Sequence, residues 1–395
     1  MPAQFPSLPH PARRQWLQRS AAWTGALALA PVLPRPAAAQ APLSEDRLRS
    51  ALDDLMARSV AADGPGLIVL VARGRSVLAR RSRGMASIEL GVLLAPEHVL
   101  RIGSVTKQFA AAALLQLIDQ GHARLDDPLE RFLPDFPNAR AITLTQLLNH
   151  TSGIKSYTTL PGYMHGPVRR DLTTAQLVAE FAALPVDFAP GEGWAYNNSG
   201  YVLVGAVIES IPQQPWPAQV ARMQQPLGLH RTEWDDAQRV IPGMASGYGQ
   251  RRPPRDGAPG APDGSQGQRP LVKRAELVSM TQPHAAGALL STVDELWQWN
   301  LALHGGRVLS PTTYERMVTP EGPAQKEGYG FGLRRDMLHG QPALLHAGAV
   351  HGYKAVLIWL PGPALTVAVL HNADGPAVHV GRLGAEVTRL ALDVG

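Results

Sequence analysis

The chain has 395 residues, 45% of them hydrophobic and 17% charged, with no cysteine and a formal net charge of +5. That size and apolar fraction suit a globular protein with a large core, and the missing cysteines exclude disulfides, thiol catalysis and thiolate metal sites. The positive balance does not mark a nucleic-acid binder: Arg13, Arg14, Arg19 and Arg35 lie in the first forty residues, the remainder carries about +1, and no basic stripe with interleaved aromatics follows.

Residues 1–39 read as an export signal. Arg13-Arg14-Gln15-Trp16-Leu17 precedes an apolar stretch from Ala21 to Leu33 and then Ala37-Ala38-Ala39, in the order basic, apolar, small. The arginine pair resembles a twin-arginine signal, with cleavage expected after Ala39 or Ala41. A disordered or membrane-anchoring N-terminus is the alternative, although the apolar run is too short to span a bilayer. The mature chain is therefore expected to be periplasmic or secreted, without a stable membrane span.

A helix is expected from about Glu45 to Arg58, followed by a β-hairpin of Leu67–Arg73 and Ser76–Arg81 around Arg73-Gly74-Arg75. Then comes Ser104-Val105-Thr106-Lys107, opening an apolar, alanine-rich run that stops near Gly121. Residues three apart on a helix share a face, so the Lys107 amine can reach the Ser104 oxygen. A serine hydroxyl needs a neighbouring base, and a desolvated lysine can be that base where an arginine cannot. With only five lysines among many arginines, an ordinary solvated charge here would be Arg. The helix N-terminus also favours developing negative charge. A plain N-cap serine beside a solvated lysine is the structural alternative. A second S-x-x-K, Ser152-Gly153-Ile154-Lys155, lies in the turn-like His150-Thr151-Ser152-Gly153 cluster and reads as a loop.

From Leu125 to about Met280 the pattern is helical and loop-rich, with clearer helices at Leu144–Asn149, Thr174–Ala183 and Tyr201–Ser210, and Pro253–Pro270 reads as a mobile surface loop. Further helices are expected from Thr292 to His304 and from Ser310-Pro311, then strands at about Tyr329–Arg334, Tyr353–Leu360 and Leu365–His371, and a last helix from Ala377 to Leu392. Strands at both ends around a helical middle predict an α+β fold: an antiparallel sheet flanked by helices, with a mostly helical second lobe. Residues 40–395 form one domain on this reading. Its α/β lobe spans about 42–124 plus 285–395, and its helical lobe about 125–284.

Two more segments join S-x-x-K: Tyr196-Asn197-Asn198 and His346-Ala347-Gly348. In the order S-x-x-K, Y-x-N, H-x-G, with Leu147–Gly153 and Ala286–Thr292, the chain from about residue 45 to 390 resembles the serine hydrolases related to class C β-lactamases and penicillin-binding proteins. That group includes D-amino-acid peptidases and family VIII carboxylesterases. The resemblance implies the β-lactamase/transpeptidase-like fold and an acyl-enzyme at Ser104. A cation close to Tyr196 favours its phenolate, so Lys107 and Tyr196 would form a coupled acid–base pair. By resemblance Tyr196 also returns the proton to the leaving group, and the backbone N–H groups of Ser104 and Ala349 form an oxyanion hole.

Asn198 either holds the acyl side of the substrate, orients Lys107 and Tyr196, or simply caps a helix. Gly348 would let the strand approach the substrate closely. His346 stands where β-lactamases have a lysine, and a mostly neutral imidazole is less suited to a substrate carboxylate. The reading is an exported hydrolase of small esters or short D-residue peptides, with a β-lactamase or D-Ala-D-Ala carboxypeptidase as the first alternative and a catalytically inactive scaffold as the second. No G-x-S-x-G, H-E-x-x-H or phosphate-binding glycine loop occurs, and His284, His304, His346, His351 and His371 lack ligand-like clustering, so no metal or cofactor is expected. Tyr157, Tyr163, Met164 and Trp194 are open to pocket lining or packing, and the oligomeric state is open.

Overall fold

The computed structural model describes residues 44–251 and 271–394. The expected export signal and the Pro253–Pro270 loop lie outside them. A six-stranded sheet organises the rest: β1 (Leu67–Arg73), β2 (Ser76–Arg83), β3 (Arg334–Leu338), β4 (Gln341–Val350), β5 (Tyr353–Leu360) and β6 (Leu365–His371), in the order β3-β4-β5-β6-β1-β2. Every neighbouring pair is antiparallel, and β6 joins the two ends of the chain by pairing Leu67 with His371 and Val69 with Val369. The expected α+β architecture is what the chain adopts.

β1 from Leu67 to Ala72 is apolar and β6 is buried along its whole length because both faces of the sheet are covered. Leu67, Val69 and Val71 face helices α1 (Glu45–Ser59) and α5 (Val380–Leu392), packing against Leu48, Leu52, Leu383 and Val387. Ile68, Leu70 and Ala72 belong to the larger core on the other face, with α2 (Thr106–Asp119), α3 (Asn198–Ser210) and α4 (Val293–His304). α2 is buried almost all round, which its alanines permit by letting neighbours approach closely, and Phe109 stacks on Trp299 at 4.0 Å. Among the described residues no helix is long and apolar enough to cross a membrane.

Two elements differ from the expectation. Residues 329–334 are not a strand: Tyr329 makes only a bridge to Arg334, and the strand begins at Arg334. The run Gly328-Tyr329-Gly330-Phe331-Gly332 turns against α2 instead, where a Cβ on Gly332 (φ +73°) would stand 2.5 Å from the Lys107 carbonyl oxygen. The helix Trp216–Gln224 was not foreseen because Pro215 and Pro217 flank its first residue, but proline is tolerated in a first helical turn. The segment carrying His346 and Gly348 is a strand, as expected, and runs ten residues from Gln341 to Val350.

Candidate active site

Ser104 sits in a single 3-10 turn, Gly103–Val105, that runs directly into α2. Gly103 takes φ +50°, and a Cβ there would lie 2.7 Å from the Ala349 nitrogen; a Cβ on Gly348 would lie 1.9 Å from the Ile102 carbonyl oxygen and 2.9 Å from the Ser104 nitrogen. Backbone thus meets backbone where β4 passes the start of α2, and only glycine fits on either side. This contact brings the Ser104 and Ala349 amides into one neighbourhood.

Lys107 lies one turn further along α2 and is fully buried. Its Nζ is 3.3 Å from Ser104 Oγ, 2.8 Å from Asn198 Oδ1 and 2.8 Å from the Ala286 carbonyl oxygen. Those partners are uncharged, and burial pulls the Lys107 pKa well below the ordinary lysine value. A neutral amine has two N–H donors and one lone pair. Asn198 and Ala286 offer it two acceptors, which leaves the lone pair for the Ser104 hydroxyl.

Tyr196 packs its ring 4.8 Å from Lys107 Nζ. Burial pushes its pKa above the usual phenol range, against a smaller opposing pull from a hydrogen bond with Ser104 and the charge of Arg334. The expectation of a phenolate is therefore reversed: the amine beside it favours its own neutral form, and the Arg334 charge is too small a pull to offset the desolvation of the ring. The tyrosine is held protonated.

The Asn198 helix-cap alternative falls to its neighbour. Asn197 is the N-cap of α3, its Oδ1 accepting from the Gly200 N–H at 2.8 Å, while Asn198 enters the first turn with its amide between Lys107 and Thr158 Oγ1. His346 donates from Nδ1 to the Ala347 carbonyl (2.7 Å) and accepts at Nε2 from the Tyr329 hydroxyl (2.9 Å). Burial, with a smaller contribution from the Lys107 charge, lowers its pKa to about 3, so the imidazole is neutral. Ser104, Lys107, Tyr196, Asn198, His346, Gly348 and Ala349 thus converge on the junction of β4, α2 and α3.

The second S-x-x-K does not assemble. Ser152 is buried, and Lys155 pairs with Asp187 instead. Tyr157 and Tyr163 are also buried, their hydroxyls donating to the backbone and side chain of Gln282, which settles them as packing. Met164 packs on the same core, and Trp194 lies partly buried beside His150 and Tyr329. Three contributors were not singled out as site residues from the sequence: Tyr329, and the Ala286 carbonyl and His150, which lie in stretches that share the family resemblance but whose roles no residue pattern assigns. Among the described residues no three His, Cys, Asp or Glu side chains gather in a way that could hold a metal ion.

A model of the family described as Beta-lactamase matches residues 48–391. The chain belongs to the Beta-lactamase family. Its relatives there include hydrolases. Esterase EstB of Burkholderia gladioli is 37% identical over 180 residues, 42% of this chain and 45% of EstB. The D-aminopeptidase of Gluconobacter oxydans is 26% identical over 335 residues, 82% of this chain and 58% of that protein. The chain thus spans about half the length of these curated relatives. The D-stereospecific amidohydrolase from a Streptomyces species superposes with a TM-score of 0.70 at 30% identity, covering 82% of this chain and 94% of that one. The D-amino acid amidase of Ochrobactrum anthropi SV3 shares the fold, with a TM-score of 0.73 at 22% identity over 88% of this chain and 98% of its own.

Proposed function

We propose that this protein is a serine hydrolase that acts through an acyl-enzyme at Ser104 on small esters, D-amino-acid amides or short D-residue peptides. The observation that carries the reading is the Lys107 amine, with two N–H acceptors already in place and Ser104 Oγ 3.3 Å away. Ser104 Oγ attacks the substrate carbonyl carbon as its proton passes to Lys107, and the carbonyl oxygen takes up the negative charge. The Ser104 and Ala349 N–H groups are suited to hold that oxygen. Tyr196, kept protonated by burial, gives its proton to the leaving oxygen or nitrogen as the bond to carbon breaks, and is recharged from the Lys107 ammonium. Water then attacks the ester, giving a proton to the same pair, and Ser104 recovers its own as the acid leaves. The basic, apolar, small order of residues 1–39 supports export as part of this reading.

A neutral His346 offers no fixed cation for a substrate carboxylate, which weighs against a β-lactamase or a D-Ala-D-Ala carboxypeptidase. Intact-mass spectrometry after fluorophosphonate treatment tests the nucleophile. A single adduct is expected on the parent and on Ser152→Ala, and none on Ser104→Ala. An unlabelled, folded parent would instead support the inactive scaffold, and loss only in Ser152→Ala would move the nucleophile. A panel of esters, D-amino-acid amides and β-lactams then ranks substrates. Gly348→Ala tests the oxyanion role: separating the β4 backbone from Ser104 is expected to lower kcat by about 10²–10³-fold. An unaffected kcat in that variant would remove Ala349 from the mechanism.

A further inference from the structure

The helix Leu144–Leu148 ends in a Schellman turn, in which the Thr151 N–H returns to the Gln146 carbonyl at 3.0 Å. The residue that must go left-handed in such a turn is usually glycine, yet here it is His150, at φ +67°. Its side chain is 1% exposed. A residue that local geometry would give to glycine, but that carries a buried imidazole, has work for that imidazole.

The contacts say what the work is. The His150 carbonyl accepts from the Ala195 N–H at 3.1 Å, and its ring Nδ1 accepts from the Asn197 N–H at 3.2 Å. One residue therefore grips the chain on both sides of Tyr196. The same turn continues the grip along that segment, with Gly191 N–H on the Thr151 carbonyl and Asp187 N–H on the Gly153 carbonyl, both at 2.8 Å. The imidazole centre lies 4.5 Å from that of Tyr196 and 4.5 Å from that of Tyr329, the residue that holds His346. With Nδ1 accepting, the proton sits on Nε2, which has no hydrogen-bond partner and is walled by these rings. An aromatic surface tolerates such an N–H better than an aliphatic one.

Resting on the acyl-transfer reading above, we propose that His150 is a positioning residue that fixes the Tyr196 hydroxyl for proton delivery to the leaving group. It makes no bond to substrate. In the acylation step its effect must therefore appear only where the leaving group needs that proton. A p-nitrophenolate departs unaided, whereas an alkoxide or amine does not.

The test compares His150→Leu and His150→Asn on a p-nitrophenyl ester and on an alkyl ester of the same acid. Leucine removes the acceptor. Asparagine carries Oδ1 where histidine carries Nδ1 and tolerates a left-handed backbone. His150→Leu is expected to lose about 10²-fold in kcat/KM, which reports acylation, on the alkyl ester but only a few-fold on the p-nitrophenyl ester. His150→Asn should recover most of the alkyl-ester rate, and adding His150→Leu to Tyr196→Phe should cost little more than Tyr196→Phe alone. Equal losses on both esters, no recovery with asparagine, or additive losses in the double variant would overturn the assignment. Fluorophosphonate labelling of the parent separates the two levels: without it the acyl-transfer reading and this one both fall, and with it only the role of His150 is at stake.

Discussion

Lys107→Met is expected to lower kcat/KM by about 10⁴-fold, the scale seen when a positioned base is removed from an activated nucleophile. The same substitution should barely move the melting temperature. Methionine matches the length of the lysine stem and fills the same buried slot. It leaves the Asn198 and Ala286 oxygens without a donor, a cost of about 1–3 kcal/mol each. Against this, it removes a penalty that the native protein carries. The Lys107 pKa is lowered well below the usual 10.5 by burial, so between those two values the unfolded chain binds a proton that the native state does not. In that window native stability rises with pH, and at neutral pH the lysine is a net cost to folding. Activity follows the same titration: the base works only when neutral, so kcat/KM must fall as pH drops through the native Lys107 pKa. The pH profile of the parent should show that acid limb, and fluorophosphonate should fail to label Lys107→Met. Retained labelling in a folded Lys107→Met protein would shift the role of base to Tyr196.

How far the sequence could carry this site depended on where each role is written. Ser104 and Lys107 were legible because a helix places residues three apart on one face, and the alanine-rich run that follows leaves no doubt about the helix. The sheet was legible for the same reason, from apolar runs at both ends of the chain. The choice between Asn197 and Asn198 was not, since two adjacent asparagines are equally able to cap and only the register of α3 assigns the cap to Asn197. The protonation of Tyr196 was misjudged because spacing shows a neighbouring charge but not the burial that neutralises it. The Gly328–Gly332 run looked like the start of a strand, whereas its glycines serve a close approach to α2 that is visible only in three dimensions. His150 looked like part of an ordinary turn. It is ordinary as backbone and unusual only in what its side chain grips.

Stability should collapse on mild acidification, beginning near pH 6.5. His150, His284, His346 and His371 are each no more than 6% exposed. Burial lowers the pKa to about 3 for His284 and His346, to about 4 for His371, and well below the usual 6.5 for His150. Above 6.5 native and unfolded states are alike at these sites. As pH falls below 6.5 the unfolded chain takes up protons that the native protein refuses, and the loss continues until the native pKa values near 3–4 are reached. The refusal has a structural basis. The His371 Nδ1 proton goes to the Gly66 carbonyl at 2.7 Å, and Nε2 is buried without a partner, so a second proton has no acceptor. His284 meets Trp216 and Thr174, with Glu209 3.8 Å away as a moderating countercharge. His304, which keeps some solvent contact, is also lowered by burial, to about 3. Three to four protons at about 1.4 kcal/mol per pH unit each give a slope of roughly 4–5 kcal/mol per pH unit, against a total stability of about 5–15 kcal/mol. Urea unfolding between pH 7.5 and 4 should therefore steepen below 6.5, with proton uptake on unfolding rising to nearly four near pH 5. His371→Asn should reduce that uptake by about one, because its Nδ2 amide can replace the Nδ1 bond to Gly66 without titrating. A flat stability from pH 7.5 to 5, or an uptake below one proton, would show that these imidazoles protonate within the folded state and that the core around the site is wetter than its packing implies.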